Sequence, residues 1–137
     1  MNENDLKPGD FDQMDAAAQK VFEGLAKKVQ ARIPALNAIF GQAKTERFPL
    51  YSYVTFEDKA RPEIDPVVVG VDVRVDTGEI LIQAHIMGEE SGAGHYTAPK
   101  KQLPFDSDHS VVLGEVTNAA QQLADNTAAV LDRVFGG

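Results

Sequence analysis

Between Pro66 and Gly94 the chain reads PVVVGVDVRVDTGEILIQAHIMGEESGAG, and few folds accommodate such a stretch. Val67, Val69, Val71, Val73 and Val75 recur at every second position, and so do Ile80, Ile82, Ala84 and Ile86. A period of two belongs to a strand, whose successive side chains point to opposite faces, so each run presents one apolar face. Asp76, Thr77 and Gly78 between the runs have the chemistry of a tight turn, which predicts an antiparallel hairpin. Phase then places Asp72 and Arg74 opposite the valines, and Gln83 and His85 opposite the isoleucines.

The remaining elements are read around that hairpin. Residues 1–9 are polar, hold Pro8 and Gly9, and are expected to form a mobile N-terminal tail. Asp10 opens a helix, with Gln13 placed to close a capping box. Phe22, Leu25, Val29, Ile33, Leu36 and Phe40 follow at helical spacing. Pro34 falls inside that stripe, so the helix is expected to kink there and to stop at Gly41. Tyr51 to Glu57 reads as a first strand with Val54 and Phe56 inward, which turns Tyr51, Tyr53 and Thr55 outward. Residues 58–66 form a charged loop. His95 to Ser107, broken by Pro99 and Pro104, amounts at most to an edge strand. A long helix runs from about Ser110 to Phe135, although its opening residues VVLGEV fit a short strand equally well.

The expected fold is a single α+β domain over residues 10–137. A three- to four-stranded antiparallel sheet carries a kinked N-terminal helix and a long C-terminal helix on one face, and its other face is at least partly open. A chain of 137 residues buries enough surface to need no staples, and it contains no cysteine.

A formal net charge of −8 argues against nucleic-acid binding, because phosphate backbones demand a basic footprint. The basic pairs Lys27–Lys28 and Lys100–Lys101 are too short to reverse that field. A basic protein partner suits the charge better. No basic start precedes an apolar run, and no apolar stretch reaches the roughly 20 residues a membrane span needs, so a cytoplasmic, membrane-free protein is the expectation.

Chemistry-bearing residues gather on the outward face: Tyr51, Tyr53, Asp72, Arg74, Gln83 and His85, followed by the acidic loop GEESGAG with Glu89 and Glu90. Tyrosine and arginine on an exposed sheet are favoured anchors of protein interfaces. The histidines at 85 and 95 and the two glutamates match no compact metal-ligand spacing, and the glycines match no phosphate-binding pattern. That loop reads as flexible. Asp76–Thr77–Gly78 has no second copy to supply a paired catalytic aspartate, and no serine sits in a nucleophile motif. Gly136–Gly137 reads as a helix stop, and His109 as an exposed residue beside a helix start. No catalytic residue, metal site or cofactor is assigned. The leading expectation is a protein-binding factor of the inhibitor, immunity or chaperone type, acting through the open face and the loop 88–94. The alternative is a small-molecule-binding domain or enzyme with His85 as base and Asp72 or Glu89 as its acid. A homodimer through the sheet face or the final helix is a third arrangement.

Overall fold

A computed structural model describes residues 8–45, 49–76 and 78–136 of the chain. Helix α1 (Pro8–Arg32) precedes the strands β1 (Asn37–Ala43), β2 (Leu50–Glu57), β3 (Val67–Asp76), β4 (Glu79–Gly88), β5 (Gly94–Thr97) and β6 (Lys101–Pro104), and helix α2 (His109–Phe135) follows. All strand pairings are antiparallel, in the order β1-β2-β3-β4-β5, with β6 also on β4. Both helices pack on one side of the sheet and against each other.

Three expectations change. Pro8 and Gly9 are already helical, because a proline in the first turn gives up no hydrogen bond; residues 1–7 of the expected tail lie outside the described residues. The second change is at Pro34, which ends the helix rather than kinking it. Ile33 still donates to the Val29 carbonyl at 2.8 Å, Leu36 donates to the Ile33 carbonyl at 3.1 Å, and the chain then enters β1. Leu36 and Phe40 are four residues apart, a spacing that shares a face in a strand as well as in a helix, so the stripe persisted across a change of structure. Gly41 is accordingly a mid-strand residue and not a helix stop.

The sheet, thirdly, has six strands instead of three or four. Besides β1, the proline-broken segment supplies two short strands that share one edge of β4: β5 opposite residues 85–87 and β6 opposite residues 79–82, with Pro99 between them. VVLGEV is helical, because Asp108 caps α2 by accepting the Ser110 N–H at 3.0 Å. The hairpin turn closes on Gly78 at φ +80°, a conformation that favours glycine; Thr77 lies outside the described residues.

The core sits between the helices and the inner face of the sheet. Val67, Val69, Val71 and Val73 are buried against Ile80, Ile82, Ala84 and Ile86, with Val54 and Phe56 of β2 beside them. Phe22, Leu25 and Val29 of α1 and Val116, Leu123 and Leu131 of α2 close it from the other side. Each such side chain contributes about 1.5–3 kcal/mol of transfer free energy, which makes the hairpin's phase expensive to change. Among the described residues no helix is long and apolar enough to cross a membrane.

Candidate functional site on the outer sheet face

Register decides which outward side chains meet. Tyr51 of β2 lies opposite Asp72 of β3, Asp72 lies opposite Gln83 of β4, and Gly70 stands between Tyr53 and His85. A Cβ at Gly70 would come 2.5 Å from Cε1 of Tyr51, so the missing side chain leaves the seat over which that ring lies. The Tyr51 hydroxyl thereby reaches His85 Nε2 at 3.3 Å, with the ring centroids 5.7 Å apart. Gly41 does the same for Tyr53, whose ring occupies the space of its Cβ, and the two tyrosine centroids are 5.1 Å apart. On its other side His85 Nδ1 stands 3.9 Å from Asp72 Oδ2. Hydroxyl, imidazole and carboxylate therefore form one row across three strands.

The row is desolvated. Asp72 is only 8 % exposed, and its Oδ1 is buried without a hydrogen-bond partner. Burial pushes its carboxyl up to about 6, against the opposing pull of the Arg74 guanidinium. Burial likewise holds the His85 imidazole below its ordinary value, and raises the Tyr51 hydroxyl, helped by the charge of Asp72 and by Tyr53. At neutral pH an ionised Asp72 thus faces an uncharged His85.

Of the residues singled out from sequence, Tyr51, Tyr53, Asp72, Arg74, Gln83 and His85 do share one face. Glu89 and Glu90 do not join them. They are exposed at the far end of β4, and Glu89 lies four residues, roughly 13 Å of strand, beyond His85. Nor is their loop free. Asp65 accepts the N–H groups of Glu90 (3.0 Å) and Ser91 (3.2 Å) and the Ser91 hydroxyl (2.9 Å). These bonds also hold the Asp65 carboxyl below the usual range. Gly88 and Ala93 close the loop with a 2.8 Å backbone bond.

Sequence reasoning passed over Gly70 and Gly41, although a glycine inside an apolar strand signals a close approach. It also passed over Leu81, which is 1 % exposed on the outward row between its register partners Arg74 and Gln102. Among the described residues no three His, Asp or Glu side chains converge as metal ligands do. A groove of about 490 Å³ lies elsewhere, between the two helices, lined by Lys20, Gly24, Lys28, Thr117, Gln121 and Asp125 among others. Set against protein-family models, curated proteins and solved structures, the chain matches none.

Proposed function

We propose that this chain is a non-enzymatic protein-binding factor whose outer sheet face receives a basic segment of its partner. The observation that carries the reading is the pair of tyrosines seated over Gly41 and Gly70, next to a buried carboxylate with an unpartnered oxygen. Aromatic rings already held in place lose little conformational freedom on binding, which is what makes tyrosine a strong anchor. A lysine or arginine from the partner would supply the donor that Asp72 Oδ1 lacks and would lie against the tyrosine rings. Glu89 and Glu90 add negative charge at one end of the sheet, and the net charge of −8 steers a basic partner inward.

The test is site-specific photocrosslinking in the native host from position 53, with position 121 on α2 as the control. A single adduct from 53 and none from 121, weakened at least tenfold by Asp72→Asn, supports the reading. Equal capture from both positions would remove this face from the account.

The 3.9 Å approach of His85 to Asp72 favours a second reading, in which the row holds and moves a proton on a small molecule. That reading requires an enclosing pocket, and the 490 Å³ groove lies between the helices instead.

A further inference from the structure

β1 is the end strand of the sheet: β2 flanks one side of it, and among the described residues no strand flanks the other. End strands usually carry charge or proline to discourage further pairing. β1 carries neither; its seven residues read NAIFGQA in a chain that is 25 % charged. Ile39 and Phe40 are 49 % and 42 % exposed on it.

The backbone groups that face outward can be identified. The Gln19 side-chain amide lies 2.9 Å from the Gly41 carbonyl and 3.5 Å from that of Tyr53, its register partner. One nitrogen reaches both oxygens only if both point into the space between β1 and β2, so Gly41 and Tyr53 form a hydrogen-bonded pair. Alternation then turns the N–H and C=O groups of Ala38, Phe40 and Gln42 to the free edge. The same amide donates to Ser52 Oγ at 2.9 Å, so α1 holds this edge extended from beneath.

We infer that β1 pairs antiparallel with β1 of a second copy about a two-fold axis at Phe40, joining two sheets into one. The three outward-facing residues are symmetric about Phe40, so its backbone exchanges both bonds with Phe40 of the second copy, and Ala38 meets Gln42. Ile39 falls opposite Gly41 of the second copy, where the missing side chain and the adjacent Tyr53 ring give it an apolar seat. Lys44 falls opposite Leu36, so no like charges confront each other along the pairing. This uncharged, self-complementary strand suits a copy of itself better than a charged peptide. The inference is independent of the proposed partner, which uses the face of the sheet and not its edge.

Sedimentation velocity on the full chain, from about 1 to roughly 100 µM, reads the association directly. The expected result is a species of twice 14.8 kDa, with the amides of Ala38, Phe40 and Gln42 exchanging more slowly as concentration rises. Ile39→Lys places a charge against its counterpart, and Gln42→Pro deletes an N–H that the monomer does not use. Each should abolish the dimer while leaving the circular dichroism spectrum unchanged. A parent chain that stays monomeric throughout the range overturns the inference. So does a dimer that survives both substitutions, because its interface would then lie elsewhere.

Discussion

An ionised Asp72 has surrendered much of its hydration to the sheet, and the Arg74 charge returns only part of what is lost. Its folded-state value near 6 lies above the ordinary 3.8, so the folded chain keeps this proton over a window in which the unfolded chain has released it. This group therefore lowers stability as pH rises from about 4 to about 6, by roughly 1–2 kcal/mol after allowance for solvent access. Asp72→Asn should consequently gain stability over the parent by that amount between pH 4 and 7.5, read as the difference in urea midpoints; parallel profiles would refute the assignment. His85 acts in the opposite sense. Its depressed value means that the unfolded chain takes up the proton first, so its contribution to stability is lost as pH falls below about 6.5. An NMR titration of the His85 imidazole should show a midpoint below 6.5. Gly70→Ala should cost about 1–3 kcal/mol and displace Tyr51 from His85, because the new methyl group needs the space of the ring. In the Tyr51→Ala background the same change should cost clearly less, and a double-mutant cycle measures that coupling.

Elements follow from short-range rules wherever two rules agree. The hairpin was legible because period-two alternation and turn chemistry coincide, and β3 and β4 lie where that pattern put them. The N-terminal half of the chain was harder to read. The spacing from Leu36 to Phe40 satisfies helix and strand alike, and backbone bonds to β2, a segment up to twenty residues downstream, make Asn37–Ala43 a strand. VVLGEV posed the same ambiguity, which the side chain of Asp108 resolves at the helix start. Asp108→Ala should destabilise the chain by about 1 kcal/mol while leaving its helical content nearly intact, as followed by circular dichroism during urea unfolding. A comparable dependence appears where α2 ends: Arg61, in the loop after β2, donates to the Phe135 carbonyl and pairs with Asp58 at 2.8 Å. Nothing local in either segment announces that contact.

For the molecule as a whole, the net charge of −8 makes encounter with a basic partner depend on salt. Stopped-flow association with such a partner should slow about tenfold or more between low and high ionic strength, while dissociation changes little; an unchanged association rate would argue for an uncharged partner surface. Composition and periodicity sufficed for the class of fold, the inward rows of valine and isoleucine, and the set of side chains that share the outer face. Those are consequences of backbone geometry, which repeats every two or 3.6 residues whatever lies nearby. Strand number, the break at Pro34, the clamp of Asp65 on the acidic loop and the row Tyr51–His85–Asp72 rest instead on pairings between residues far apart in the chain. The hairpin from Pro66 to Gly94 put Asp72 and His85 on one side; the register with β2, and a glycine at position 70, brought Tyr51 across to meet them. Contacts of that kind form where chain entropy has already been given up to the core, and no local pattern encodes them.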